Sequence, residues 1–190
     1  MNHSISLDQW EQKILDVINQ AKDPFVIAID GDAASGKTTC ANRFKDDPQI
    51  WVISMDHFYL PFDQRVDEVG GHIDYEKIIQ SILKPHEKRE TMHYHWYDPH
   101  TSCVINEYDL TYRPIILLEG AYSCHPKLRP WIHLSALFMI DKDLQKNRII
   151  RRSNLSTYET FRDVWIPKEK DYQQLTNLDH YVNDHVQITE

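Results

Sequence analysis

The chain has 190 residues, of which 41% are hydrophobic and 26% are charged, and 21 Lys and Arg against 29 Asp and Glu give a formal charge of −8. This length and composition predict one globular domain over residues 1–190. The acidic balance argues against general nucleic-acid binding, and no apolar run reaches the roughly 18 residues of a membrane span. The first residues lack a basic stretch followed by an apolar one, and the three cysteines have no CxxC spacing. We therefore expect a cytoplasmic protein without disulfides.

The first half of the chain alternates amphipathic and short apolar segments. Spacings of three and four between apolar residues predict helices, whereas short β-branched runs predict buried strands. The predicted helices are 7–21, 37–44 and 74–83, and the predicted strands are 25–29 and 50–54. Ser6 and Gln9 form a capping box at the start of the first helix. Pro85 is expected to end the third helix.

The second half begins with a segment of different character. Residues 85–113 are rich in His, Tyr and charge, with weak alternation that predicts a hairpin or excursion. His93 and His95 would share a face of such a strand, but zinc would need further ligands that the sequence does not nominate. The strands predicted beyond it are 115–118, 135–140 and 186–188, and the helices are 143–152 and 158–175. Pro167 is expected to interrupt or bend the last helix.

Apolar strands that alternate with helices predict an α/β fold, in which helices cover both faces of a parallel sheet. Ligands of such sheets bind at the carboxyl ends of the strands. Asp30, Asp56, Glu119 and Asp141 all lie at or just past predicted strand ends. The sequence thus predicts a cluster of carboxylates at one edge of the sheet.

Residues 31–38, GDAASGKT, match the phosphate-loop pattern GxxxxGK[ST] between a predicted strand and a predicted helix. In this pattern the backbone N–H groups point at phosphate oxygens, the lysine reaches the β- and γ-phosphates, and the hydroxyl faces Mg²⁺. The residues predicted to bind ATP are Gly31, Asp32, Ala33, Ala34, Ser35, Gly36, Lys37, Thr38 and Thr39. No NKxD motif for guanine is present, and the DxxG at 67–70 follows no apolar strand. A compact kinase of a small molecule is therefore favoured over a GTPase or a motor.

Three further groups are candidates for the chemistry. Asp56 follows the second strand, where a carboxylate can take or orient the proton of an acceptor hydroxyl. Glu119 ends the strand 115–118 and is predicted to hold Mg²⁺ together with Thr38. Arginines that share a face of the helix 143–152 can neutralise a transferring phosphoryl group. These are Arg148, Arg151 and Arg152.

With these residues in place, the chain resembles the uridine kinase and phosphoribulokinase-like family of P-loop kinases from about residue 25 to residue 188. The segments that carry the resemblance, in order, are IAIDGDAASGKTT, SMDHFYLP, GGHIDYEKI, YDPHT, ILLEGAYS, RIIRRS and WIPKEKDY. The order and spacing of the second, third and fifth segments are the most specific. The resemblance implies a P-loop kinase fold with a five-stranded parallel sheet and a small hairpin or lid excursion.

The resemblance also implies transfer of the ATP γ-phosphate to a primary hydroxyl, typically the 5′-hydroxyl of a nucleoside. Asp56 then matches the catalytic base and is expected to contact the acceptor together with Tyr59. Asp74 matches the carboxylate that holds ribose hydroxyls. Tyr97 matches an aromatic residue of the base pocket. Lys37, Arg148 and Arg152 would act on the phosphoryl group, with Arg148 also touching the substrate, and Glu119 would act at the metal.

Two positions depart from the family pattern, because Pro99 and Ser102 stand where an aromatic residue and a histidine are usual, with His100 nearby. The arginine-rich stretch that usually follows Arg152 is also missing, which indicates a shortened or rebuilt lid. Uridine or cytidine is the leading acceptor, and another alcohol such as pantothenate, nicotinamide riboside or ribulose phosphate is the alternative. A nucleotide-binding regulator without turnover is a third interpretation. The choice between ATP and GTP and the state of assembly, including a homo-oligomer, stay open.

Overall fold

The computed structural model describes residues 3–21, 23–98, 101 and 103–189. Its strands are β1 (His3–Ile5), β2 (Phe25–Gly31), β3 (Ile50–Ser54), β4 (Met92–Asp98), β5 (Cys103–Leu110), β6 (Ile115–Glu119), β7 (Leu134–Ile140) and β8 (Asp184–Ile188). Six of them form one parallel sheet in the order β1-β8-β7-β2-β6-β3. The carboxyl ends of β2, β3 and β6 therefore meet at one edge.

The predicted α/β fold is confirmed, but the prediction of five strands is wrong because β1 adds a sixth at the edge of the sheet. This strand has three residues and pairs with β8, with Ser4 opposite His185. A three-residue strand is too short to show a period in the sequence, and its partner lies about 180 residues away. Its pairing is thus set by tertiary structure rather than by a local pattern.

The helices lie between the strands and in the C-terminal part of the chain. They are α1 (Leu7–Gln20), α2 (Lys37–Asn42), α3 (Tyr75–Ile78), α4 (Lys84–Glu87), α5 (Lys142–Arg152), α6 (Leu155–Thr160), α7 (Ile166–Leu175) and α8 (Leu178–Tyr181). A capping box of Ser6 and Gln9 starts α1, as predicted. None of the helices in the described part of the chain is both long and apolar enough to cross a bilayer.

Pro85 does not end its helix, and Pro167 does not interrupt its own. A π-helical segment, Ile79–Leu83, joins α3 to α4, and a second one, Phe161–Trp165, joins α6 to α7. Pro85 and Pro167 each follow such a segment as the second residue of the next α-helix. The wider hydrogen-bond spacing of a π-turn accommodates a residue that has no N–H, so both helices continue through their proline.

Alternate residues of β2 pack into two separate cores, one on each face of the sheet. Val26 and Ala28 contact a core that includes residues of α3, α7 and the hairpin. Ile27 and Ile29 contact a core that includes Trp10 of α1 and residues of α2. Helices thus cover both faces of the sheet, which explains why β2 reads as a continuous apolar run.

The excursion predicted at 85–113 contains an antiparallel hairpin of β4 and β5. Its register shifts between Trp96 and Tyr97, so the strict alternation of side chains is broken there. His93 and His95 each face a carboxylate of β5, Asp109 and Glu107 respectively. No group of three or more His, Cys, Asp or Glu that could hold a metal occurs among the residues described.

Candidate functional site

A cleft of about 1450 Å³ lies at the edge where β2, β3 and β6 end. The phosphate loop between β2 and α2 forms its floor, and residues 33–39 line it. Gly31 and Asp32 do not belong to this lining in the described chain. Gly31 pairs with Phe138 of β7, and the Asp32 amide donates to the Phe138 carbonyl.

The loop has the backbone shape that phosphate binding requires. Ala34 and Gly36 have φ of +61° and +93°, and Gly36 is the N-cap of α2. The first glycine is required for a different reason, because a Cβ on Gly31 would lie 2.1 Å from the Phe138 oxygen. Positive φ values in the loop turn successive N–H groups toward one side, which makes a cradle for an anion.

The Lys37 side chain is folded back onto its own loop. Its Nζ donates to the Gly31 oxygen at 2.9 Å and to the Asp32 oxygen at 2.7 Å. From α5, Arg148 Nη1 donates to the Ala34 oxygen at 3.2 Å. Arg148, Arg151 and Arg152 all line the cleft. The arginine face predicted from helical spacing is therefore turned toward the phosphate loop.

Thr38 and Glu119 meet beside the loop. The Thr38 hydroxyl donates to Glu119 Oε2 at 2.9 Å, and the Ser54 hydroxyl also bonds this carboxylate. Burial raises the pKa of the Glu119 carboxyl, against these hydrogen bonds and the charge of Lys37. Mg²⁺ prefers oxygen ligands and usually keeps several water molecules, so a protein site needs to supply only a few oxygens. The Thr38 hydroxyl and the Glu119 carboxylate therefore fit a magnesium ion.

Asp56 stands on the turn that follows β3, across the cleft from the loop. It is exposed and accepts a hydrogen bond of 3.1 Å from the Tyr59 hydroxyl. The neighbouring His57 ring stacks on Trp96 at 4.1 Å and hydrogen-bonds the Tyr94 hydroxyl. Burial lowers the pKa of His57, so its ring is neutral near pH 7. An exposed carboxylate is therefore flanked by an aromatic wall.

A second aromatic group closes the outer part of the cleft. The His72 ring stacks on Tyr59 at 5.5 Å and lies 5.8 Å from Trp165. Burial and the cations Arg65 and Lys168 lower the pKa of His72 to about 4. The Arg65 guanidinium lies over the rings of Tyr59 and Phe62.

Two residues predicted to touch the acceptor lie elsewhere. Asp74 is the N-cap of α3, where its Oδ1 accepts from the Lys77 amide at 2.9 Å. Tyr97 is buried, and in the described chain Trp96 lines the cleft in its place. Pro99, His100 and Ser102 lie outside the described residues.

Helix α7 contributes three side chains whose roles were not predicted from the sequence. Glu169 Oε2 accepts from the Ala33 amide at 2.9 Å. Lys170 Nζ and Gln173 Nε2 both bond Asp32 Oδ1, at 2.7 and 3.0 Å. These residues fall in or just after the WIPKEKDY segment, which was one of the segments that carry the family resemblance. Only the fold shows that α7 contacts the phosphate loop.

Asp30, near the end of β2, holds the phosphate loop through buried hydrogen bonds. It is 1% exposed and accepts from the amides of Tyr122 and Cys124 and from the Tyr172 hydroxyl. Burial raises the pKa of its carboxyl against these hydrogen bonds. Asp30 thus joins β2 to α7 and to the turn after β6, and it holds the loop rather than facing the ligand.

Comparison with known proteins supports a kinase of the P-loop type. No family model matches the chain. It is 29% identical over 157 residues to uridine kinase-like protein 4 of Arabidopsis thaliana and 28% identical over 160 residues to uridine-cytidine kinase-like 1 of Mus musculus. These matches cover 75% and 76% of the chain but only 32% and 28% of the two relatives. The chain therefore spans about a third of the length of these relatives.

Solved structures agree with this fold. A possible uridine kinase from Bacillus stearothermophilus superposes with a TM-score of 0.69 at 17% identity, over 95% of this chain and 96% of that one. A protein from Silicibacter sp. TM1040 described as a fructose transport system kinase superposes with a TM-score of 0.70 at 14% identity, over 97% and 99%. The resemblance to uridine kinase-like P-loop kinases is thus confirmed in sequence and in fold.

Proposed function

We propose that this chain, which resembles the uridine kinase-like P-loop kinases, transfers the γ-phosphoryl group of ATP to the 5′-hydroxyl of a nucleoside, with uridine and cytidine as the leading acceptors. One observation carries the proposal. A phosphate loop, the Thr38–Glu119 pair and the exposed carboxylate of Asp56 line the same cleft, and aromatic rings flank the carboxylate. Such a cleft offers a loop for a triphosphate, rings for a planar group, and a carboxylate for the acceptor hydroxyl.

The part of the proposal that concerns ATP is supported by positive charge around the phosphate loop. Lys37 and Arg148 both contact the loop, and Arg151 and Arg152 also line the cleft. Phosphoryl transfer needs little covalent chemistry from the protein, so positioned cations and backbone amides supply most of the stabilisation. Mg²⁺ at Thr38 and Glu119 would neutralise charge on the β- and γ-phosphate oxygens.

The acceptor half is supported by Asp56 and its neighbours. The Asp56 carboxylate takes the proton as the acceptor O–H bond breaks, an oxygen–phosphorus bond forms, and the bond from the γ-phosphorus to the bridging oxygen breaks to release ADP. Tyr59 holds the carboxylate by its hydrogen bond. Trp96 and His57 offer flat faces on which a nucleobase can stack.

A second acceptor class is favoured by Arg65. This cation lines the cleft, over the rings of Tyr59 and Phe62, and a neutral nucleoside gives it no anionic partner. An alcohol that carries a carboxylate, such as pantothenate, would be drawn to the same guanidinium. The two classes differ in charge, so one panel of acceptors separates them.

The test is ADP release with ATP and Mg²⁺ over uridine, cytidine, adenosine, nicotinamide riboside, pantothenate and ribulose 5-phosphate. Turnover confined to uridine and cytidine supports the nucleoside assignment. Asp56→Asn is expected to lower kcat by a factor of about 10² to 10⁴ while ATP binding is kept. Asp63→Asn, at an exposed carboxylate outside the cleft lining, is the matched control. ATP binding without ADP release on any acceptor would favour a nucleotide-binding regulator instead.

A further inference from the structure

A carboxylate of α7 lies inside the phosphate loop. Glu169 lines the cleft, and its Oε2 accepts a hydrogen bond of 2.9 Å from the amide of Ala33, the first loop residue that faces the cleft. It is also close enough to Lys37 for the ammonium charge to lower its pKa. Glu169 therefore interacts with a backbone N–H of the loop and with the charge of the loop lysine. These are the two kinds of group with which such loops bind phosphate.

The position of Glu169 is fixed by its neighbours on the same helix. Lys170 and Gln173 bond Asp32, and Tyr172 bonds Asp30, so three side chains hold α7 against the loop. Gln145 of α5 in turn donates to the Ala33 oxygen at 2.9 Å. The N–H and the C=O of Ala33 are thus both hydrogen-bonded to side chains from the C-terminal part of the chain.

We propose that Glu169 is a specificity-determining residue that occupies the γ-phosphate position of the loop, so that a nucleoside triphosphate must displace its negative charge whereas a diphosphate need not. This inference rests on the proposed function, because it needs the loop to bind ATP. Two anions cannot share one N–H donor and one ammonium without repulsion. Glu169 thereby weakens the binding of ATP relative to that of ADP.

The effect depends on whether Glu169 is ionised. Burial raises the pKa of its carboxyl to about 7, and Asp32 and Asp30 raise it further while Lys37 and the Ala33 amide oppose them. The charged and titratable groups that interact with it are Lys37, Asp32, Asp30 and Tyr122, while Arg148 and Lys170 bond the neighbouring Ala34 oxygen and Asp32 carboxylate. A carboxyl with a raised pKa is protonated on the acid side, so the repulsion is absent at low pH and grows as the pH rises through about 7.

The size of the effect follows from the ionised fraction. If only the protonated form admits the γ-phosphate, the competent fraction falls from about one half at pH 7 to about one tenth at pH 8. The Kd for ATP should then rise about fivefold between these pH values, as an upper limit, whereas the Kd for ADP should not change in the same way. Binding of ATP should also take up a proton, because the bound state favours neutral Glu169.

The experiment is titration calorimetry of the full chain with Mg·ATP and Mg·ADP, without acceptor, at pH 7 and 8 and in two buffers of different ionisation enthalpy. Glu169→Gln should tighten ATP about twofold at pH 7 and about tenfold at pH 8, remove proton uptake, and leave ADP nearly unchanged. Glu159→Gln, at an exposed carboxylate of α6, is the matched control and should behave as the wild type. Circular dichroism and a thermal melt establish that each variant is folded.

The outcomes separate this inference from the proposed function. One outcome is that the wild type binds ATP and that Glu169→Gln shows the same ratio of ATP to ADP affinity and the same pH dependence. This outcome overturns the role of Glu169 and leaves the kinase assignment intact. Equal weakening of ATP and ADP in Glu169→Gln also overturns it, since that result would make Glu169 a support for the loop. Wild type that binds neither nucleotide overturns both.

Discussion

The hydroxyl of Tyr172 offers a sharp test of how the phosphate loop is held. It donates to Asp30 Oδ2 at 2.7 Å, and both side chains are 1% exposed. Tyr172→Phe removes this hydroxyl without changing the ring, so one oxygen of a buried carboxylate loses a donor. A hydrogen bond to a charged group contributes about 1.5–3 kcal/mol. We expect the free energy of unfolding to fall by that amount.

A second tyrosine in the same core provides the control. Tyr75 is 4% exposed, and its hydroxyl has no hydrogen-bond partner in the described part of the chain. Tyr75→Phe deletes the same atom but breaks no hydrogen bond and removes an unpaired buried hydroxyl, so its free energy of unfolding should equal or exceed that of the wild type. The pair of variants isolates the bond from the loss of the oxygen.

Urea unfolding followed by circular dichroism measures both variants. With a slope of about 2 kcal/mol per molar urea, Tyr172→Phe should lower the midpoint by about 1 M. Tyr75→Phe should leave the midpoint at or above that of the wild type. Equal midpoints for the two variants would refute the reasoning, because they would mean that the hydrogen bond to Asp30 contributes nothing beyond the packing of the ring.

Three other substitutions test separate parts of the site. Gly31→Ala places a Cβ 2.1 Å from the Phe138 oxygen at a φ of +133°, and it should lower the free energy of unfolding by more than about 3 kcal/mol in the same urea assay. Glu119→Gln removes the charge beside Thr38, and a Mg²⁺ titration of ADP release should show a 10–100-fold weaker metal dependence. Trp96→Ala removes the ring that stacks on His57, and it should raise the KM of the acceptor about 3–10-fold with ATP affinity unchanged. Val104→Ala, on the same hairpin but outside the cleft lining, should leave that KM as it is.

The parts of the fold that the sequence predicted are those with a strong local cause. The strand before the phosphate loop is a buried β-branched run, and the glycine positions around it leave few alternatives for the backbone. The arginine face of α5 follows from helical spacing alone. Such features need no knowledge of distant contacts, so a single sequence is sufficient to find them.

The parts that were missed depend on contacts between distant segments or on small irregularities. Strand β1 exists because β8 lies beside it. Trp96 lines the cleft and Tyr97 is buried, because neighbouring residues of a strand point to opposite faces and tertiary packing decides which face meets the cleft. The helices continue through Pro85 and Pro167 because a π-turn precedes each proline. None of these features leaves a period or a composition that distinguishes it beforehand.

The anchoring of α7 decides how the loop can respond to a nucleotide. Lys170, Tyr172 and Gln173 bind residues of β2 and the loop, and of these contacts only the Lys170–Asp32 pair has a largely exposed partner. Moving the helix away would break the buried Tyr172–Asp30 bond together with the others, at a cost of several kcal/mol. Rotation or protonation of the Glu169 side chain breaks a single hydrogen bond to Ala33. We therefore expect the Glu169 side chain to rotate or become protonated when the γ-phosphate binds, while α7 stays in place.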